Sequence, residues 1–163
     1  MIKEEYQNYV ESITTQIPEN RIITDTLRRL AYGTDGGFYR LEPQVVVRVL
    51  NEEEMQLCIR NAASRKLPVT FKAAGTSLSG QTISDSILLM AGEGWKNYEV
   101  LDDGLKVRLQ PGIIGGKVNR ILAPYGRKFG PDPASINSAM VGGIIINNAS
   151  GMNCGTHENA YKT

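Results

Sequence analysis

Lys72-Ala73-Ala74-Gly75-Thr76-Ser77-Leu78-Ser79-Gly80-Gln81-Thr82 is a run of small residues between two short apolar segments, Leu67–Phe71 and Ile87–Met90. The flanks are too short for anything but strands, so the run reads as the loop that joins them. Glycine stands where backbone must come close or take a positive φ. Successive N–H groups in such a loop form a concave anion site, and small side chains let a phosphate reach them. The hydroxyls of Thr76, Ser77, Ser79 and Thr82 add donors. These features fit a cradle for a nucleotide pyrophosphate; a solvated Gly- and Ser-rich turn has the same composition. Gly75-x-x-x-x-Gly80-Gln81-Thr82 is also one residue away from the phosphate loop of nucleotide hydrolases, which needs Lys where Gln81 stands. That loop must open directly into a helix, yet only Ile83 and Ser84 separate Thr82 from Asp85 and the next strand. The hydrolase reading fails on both counts.

Upstream, Val45–Leu50 is short and β-branched, hence a strand. Asn51 with Glu54 has the form of a helix-starting capping box, and Glu52 and Glu53 suit the positive helix end. Met55, Cys58, Ile59, Ala62 and Ala63 supply the buried face of that helix, so residues 45–71 form a β-α-β crossover that feeds the loop. Further back, residues 3–17 read as a helix with Tyr6, Val10, Ile13 and Ile17 on its face, closed by Pro18. Thr24 or Asp25 caps a second short helix carrying Leu27 and Leu30, with Arg28 and Arg29 as solvated charges. Tyr32-Gly33-Thr34-Asp35-Gly36-Gly37-Phe38-Tyr39 is either a packed surface loop or a segment covering part of a ligand.

Downstream, Tyr98–Leu101 and Leu105–Leu109 flank Asp102-Asp103-Gly104, a hairpin signature. The turn accounts for both carboxylates without an acid–base dyad. Residues 117–123 form a short helix. In the run Val141–Gly151, Gly142 and Gly143 each weaken a helix or strand by ~1 kcal/mol relative to Ala, which suggests close approach of another backbone or a flat ligand. Asn147 and Asn148 offer donors and acceptors to a polar ring. His157, the only histidine, lies in a polar run and reads as a surface residue.

The chain has 163 residues, 41% of them hydrophobic and 21% charged, with a net charge of +1. That balance supplies no attraction to nucleic acid or to an anionic membrane. No apolar run approaches the ~20 residues of a membrane span, and Met1-Ile2-Lys3-Glu4-Glu5 lacks a secretory apolar segment. Cys58 and Cys154 have no C-x-x-C partner, so neither a metal site nor a disulfide framework is expected, and the reading points to a reducing cytoplasm.

Taken in order, Tyr32-Gly33-Thr34-Asp35, the Pro43–Val49 strand, Phe71–Gln81, Gly130-Pro131-Asp132-Pro133 and Gly142-Gly143…Asn147-Asn148…Ser150-Gly151 resemble the FAD-binding domain of the vanillyl-alcohol oxidase type. Within it the likeness is to D-lactate and glycolate dehydrogenases, whose longer bacterial relatives carry a C-terminal iron–sulfur part. The resemblance implies an α+β fold of two subdomains gripping FAD, with the first β-α-β subdomain and part of the second present here. It divides the chain into an N-terminal helical extension and loop, residues 1–40, and an FAD-binding domain, residues 41–163, cut short at its C-terminal end. By match to the motif, Ala73, Ala74, Gly75, Thr76 and Ser77 would bind the pyrophosphate through backbone N–H groups, continued by Gln81 and Thr82. Pro131, Asp132, Ala139, Gly142, Gly143 and Ser150 would lie along the flavin and ribityl chain.

Two departures from the family matter. Many members have Gly where Ala73 and Ala74 stand, so these two must avoid positive φ. Covalent-flavin members place His at the position of Thr76, so noncovalent FAD is expected. The implied chemistry is hydride transfer from Cα of a small 2-hydroxy acid to flavin N5. Members take the acid–base His and the carboxylate-binding Arg from a later substrate domain, so no catalytic residue is expected among these 163. Two rivals share the fold: an enolpyruvyl-sugar reductase, against which Gly130-Pro131-Asp132-Pro133 argues, and a binding or structural module that has lost its flavin.

Overall fold

In a computed structural model of the chain, residues 2–155 and 157–163 are described; Met1, and Thr156 in the polar run around His157, lie outside them. The chain divides into two compact units, Met1–Gly94 and Trp95–Thr163.

The first unit is built on a four-stranded sheet in the order β1 (Ile22–Ile23), β2 (Val45–Arg48), β4 (Ile87–Met90), β3 (Val69–Lys72). β2 and β4 are the inner strands, and their apolar runs Val45–Val47 and Ile87–Leu89 are buried, as expected where both faces of a sheet are covered. β4 runs parallel to both β2 and β3, while the short β1 pairs antiparallel with β2. The β-α-β crossover is therefore present, but its two strands are not neighbours: the Gly-rich loop delivers β4 between them.

Helix α3 (Glu52–Ser64) makes the crossover. Asn51 Oδ1 accepts from Glu54 N–H at 2.9 Å, and Glu54 Oε2 reaches back to Leu50 N–H at 2.9 Å. Its buried residues are Leu57, Cys58 and Ala62. Ile59 and Ala63 face outward instead, because the buried stripe is rotated toward Leu57. Helix α1 (Glu4–Ile13) packs along α3 and is shorter than the 3–17 span. It buries Tyr6, Tyr9 and Ile13, so Tyr9 takes the place expected for Val10. Tyr6 Oη meets Ser86 Oγ at 2.8 Å at the entry of β4. Burial raises the Tyr9 phenol well above its ordinary range and pushes the Cys58 thiol up to about 11. Residues 2–40 thus share the core of the first unit.

Asp25 is the cap of α2 (Thr26–Tyr32), accepting from Arg28 N–H. The helix turns the other way from the expected one. Leu27 is 78% exposed, whereas Arg29 is only 3% exposed. The Arg29 guanidinium donates to Thr24 O at 2.9 Å and Pro43 O at 2.7 Å and pairs with Glu42 at 2.9 Å. It closes the path from α2 into β2 by satisfying carbonyls that no strand reaches.

In the second unit, β5 (Tyr98–Leu101) and β6 (Lys106–Leu109) form the expected antiparallel hairpin. Asp102, Asp103 and Gly104 take φ of 51°, 52° and 82° at its turn, and both carboxylates are exposed. Helices α4 (Gly115–Leu122) and α5 (Val141–Ile146) enclose a core of Ile113, Val118, Leu122, Phe129, Val141 and Ile144. Among the described residues, no helix is long and apolar enough to cross a membrane.

Because Arg29 is buried and answers three acceptors, Arg29→Met should lower unfolding stability by about 2–3 kcal/mol, the cost of leaving buried acceptors without a charged donor. Urea midpoints should show that loss, and Arg28→Ala, one residue away on the exposed side, should leave the midpoint near wild type.

Candidate functional site

Residues 73–86 carry the chain from the end of β3 to the start of β4 without helix or strand. No helix begins at Gly80, which removes the nucleotide-hydrolase reading structurally. Two left-handed corners shape the loop, Gly75 at φ 69° and Gly80 at φ 71°. Ala73 and Ala74 both avoid positive φ. Among the described residues, no backbone carbonyl accepts from any N–H of residues 73–82; the Ser79 N–H alone finds a partner, the Ser77 hydroxyl at 3.2 Å. These residues are half-buried or exposed, so their amides are open to water or to an anion, and a row of them can serve as an anion site. Ser77 Oγ donates to Gln81 Oε1 at 2.9 Å, which ties the two halves of the loop together. Thr82 Oγ1 is buried with no hydrogen-bond partner, an orphan that a ligand atom would satisfy.

Beneath the loop, Lys72 is buried and donates to Tyr32 O at 3.0 Å and to Thr34 O. Desolvation lowers its pKa, partly offset by the Asp35 carboxylate. Gly75 is required here sterically as well as conformationally, since a Cβ would stand 2.6 Å from Lys72 Cε. Sequence reasoning missed this Lys; its only signal was a charged residue closing an apolar strand.

The expected flavin-side residues, all in the second unit, separate by role. Gly142 is a close-approach glycine: its added Cβ would lie 2.7 Å from Pro111 Cβ, and its N–H donates to Pro111 O at 2.9 Å. Gly143 has nothing within 4 Å of that position and is exposed, as is Ser150. Pro131 and Ala139 are buried, and Ala139 belongs to the core, its carbonyl accepting from Gly115 N–H at 3.0 Å. Asp132 accepts from Asn153 Nδ2 at 2.6 Å and from the N–H groups of Asn153 and Cys154 at 3.2 and 3.3 Å. Burial pushes its carboxyl up, but those hydrogen bonds together outweigh it and hold the pKa below the ordinary range. Asn148, expected to meet a ring, instead accepts from Tyr161 N–H at 3.0 Å. Gly115 and Gly116, not singled out in the sequence, sit tightly against Ile136 and Asn137. His157 is exposed.

A row of open amides on a sheet-borne, glycine-cornered loop is the form of site expected of a domain that takes a phosphate-bearing cofactor. Residues 43–163 match the family described as FAD binding domain, and the chain belongs to that family, whose cofactor is FAD. The glycolate oxidase subunit GlcD of Escherichia coli is 26% identical over 146 residues, which cover 88% of this chain and 29% of that protein. A D-2-hydroxyglutarate dehydrogenase of Escherichia coli is 29% identical over 148 residues, 88% of this chain and 14% of that one. The chain therefore spans less than a third of the length of these curated relatives. A 4-ethylphenol oxidase from Gulosibacter chungangensis superposes with a TM-score of 0.76 at 18% identity, over 92% of this chain and 30% of that one. The fold is accordingly that of the vanillyl-alcohol oxidase type, with mixed helix and sheet. The open amides and the orphaned Thr82 hydroxyl fit the pyrophosphate of such a cofactor.

Both glycine corners cost something to replace, but unequally. Gly80→Ala should lose about 1–2 kcal/mol for its left-handed φ alone, because its Cβ meets only ordinary contacts at 3.4–3.5 Å. Gly75→Ala should lose more, since it also collides with Lys72; equal denaturation midpoints would refute the collision. For Asp132, the folded pKa lies below the unfolded value of about 3.9. Its contribution is therefore present above pH ~4 and lost as pH falls through the folded pKa. Asp132→Asn should flatten the acid limb of the stability curve, read by thermal melts between neutral and acid pH.

Proposed function

We propose that this chain is the FAD-holding part of a dehydrogenase that oxidises a small 2-hydroxy acid, of the D-lactate or glycolate type, to the 2-oxo acid. The observation that carries the reading is the open row of amides between the Gly75 and Gly80 corners. Backbone N–H groups of Ala73, Ala74, Gly75, Thr76 and Ser77 hold the pyrophosphate, which asks for no lysine or arginine. Gln81, with an amide N–H₂ not used by Ser77, and Thr82, with its orphaned hydroxyl, continue that contact. Gly143 and Ser150 offer open surface along the flavin. Asp132, Ala139 and Gly142 act indirectly, by holding the 151–154 turn and the start of α5 in place, and Pro131 is buried beside Asp132 in sequence. Threonine at position 76 cannot form the histidyl–flavin bond, so FAD is held noncovalently.

When bound, FAD supplies the two-electron acceptor, and the protein supplies position and electrostatics. The hydroxy-acid assignment is supported by relatives named for glycolate and for D-2-hydroxyglutarate. No residue of this chain is given a role in proton transfer: the Asp102–Asp103 pair forms a turn and His157 is exposed. Two buried free thiols, Cys58 and Cys154, are in keeping with a reducing cytoplasm.

The test compares residues 1–163 with a longer chain from the same coding sequence. The shorter one should take up FAD weakly and reduce no dye with D-lactate or glycolate, because a partly built site does not offset the cost of ordering its ligand. The longer one should show a flavin spectrum and substrate-dependent dye reduction. A longer chain that binds flavin but is silent with 2-hydroxy acids would overturn the substrate class, and one that binds none would overturn the cofactor reading.

A further inference from the structure

We propose that residues 32–39 form a strap belonging to the FAD cradle and that Lys72 is the positioning residue that holds this strap against the Gly-rich loop; the inference rests on the cofactor reading above. Lysine is almost never fully buried without partners, yet Lys72 is 7% exposed. Its partners are the carbonyls of Tyr32 and Thr34, at the start of the strap and some forty residues upstream. The ammonium is thus occupied by the strap, and its stem runs directly under the Gly75 corner. Asp35 supplies the opposing charge, and its Oδ1 accepts from Gly37 N–H at 2.8 Å, which folds the strap into a tight turn.

The strap then lies along the loop. A Cβ on Gly36 would stand 3.1 Å from Ser77 O and 3.2 Å from Thr76 O, and one on Gly37 would stand 2.5 Å from Leu78 O. At the other corner, Tyr39 packs on Gly80, with Cβ and Cδ2 each 3.5 Å from the position of an added Cβ. The carbonyls of Thr76, Ser77 and Leu78 therefore face the strap. In a trans peptide the N–H points opposite to the preceding C=O. Holding those carbonyls toward the strap turns the N–H groups of Ser77, Leu78 and Ser79 to the other side. Lys72 acts on the cofactor through this orientation and not by touching a phosphate, which separates it from the lysine of a nucleotide-hydrolase loop.

The test uses the longer chain from the same coding sequence, with FAD as the probe. Dissociation constants come from flavin fluorescence, and strap mobility comes from the rate of tryptic cleavage after Arg40, an exposed residue just past the strap. Lys72→Met, which keeps the stem and removes the donors, should weaken FAD binding at least tenfold and speed that cleavage by a similar factor. Gly37→Ala should do the same while leaving Lys72 in place, and it carries the test if Lys72→Met does not fold. Ile13→Val, which thins the core of the same unit, should change neither reading, so a general loss of stability cannot imitate the result. Wild-type FAD affinity in the folded variants overturns the inference, even if cleavage accelerates. A wild-type chain that takes up no FAD at any concentration overturns the cofactor reading and the inference with it.

Discussion

The constraint behind the first unit is the parallel pairing of β3 with β4. Adjacent parallel strands cannot be joined by a tight turn, because the chain must travel back along the sheet before it starts again. A helix usually makes that return. Here residues 73–86 make it as irregular backbone, whose N–H groups have no ladder to join. A segment in that position must either be solvated or find acceptors elsewhere. The two left-handed glycines let it fold back on itself compactly, and the strap at 32–39 covers one side. What remains, among the described residues, is a line of N–H donors of which only Ser79 has an acceptor, the Ser77 hydroxyl. The open amides are a consequence of topology as much as of composition.

Much of this was legible from residue order. The loop, its bracketing strands, the Asn51–Glu54 helix start and the Asp102–Gly104 turn all rest on local chemistry: caps, β-branched runs and turn residues act within a few positions of themselves. The readings that failed depended on partners far away in sequence. Arg29 looked like a solvated charge because nothing near it announces that Pro43 and Thr24 would present unpaired carbonyls there. The rotation of α2, with Leu27 out and Arg29 in, follows from that capture and not from the apolar count of the helix. Lys72 is the same case. A lysine at the end of a strand carries no local sign that residues 32–34 will fold over it.

The glycines of the second unit show why a motif cannot by itself assign roles. Gly142 and Gly143 are neighbours in a pattern that suggested close approach of a backbone or of a flat ligand. The two behave differently: Gly142 lies against Pro111, as close approach of a backbone would have it, and Gly143 opens on free space. Asp132 and Gly151 form a similar pair of support and surface. An added Cβ at Gly151 would overlap Asp132, whose oxygens cap the Asn153 and Cys154 amides. The acidic residue is thereby committed to shaping the 151–154 turn. An anionic side chain beside an electron-accepting, phosphate-bearing ligand would be a poor direct contact, and its use as a brace resolves that difficulty.

A formal charge of +1 leaves no long-range field to gather a dianionic pyrophosphate from solution. The one lysine at the loop is occupied by carbonyls and lies close to a carboxylate. An anion at this loop would therefore be met by backbone dipoles at short range, which act only when several N–H groups are aimed at one point. Such a site is indifferent to most side-chain replacements within the loop and sensitive to anything that turns its peptide planes. Alanines can stand at 73 and 74 because neither position takes a positive φ, so a methyl group does not alter where the amides point. The greatest demand for precision falls on what sets those peptide planes, the left-handed φ of the Gly75 corner and the strap packed against the residues after it.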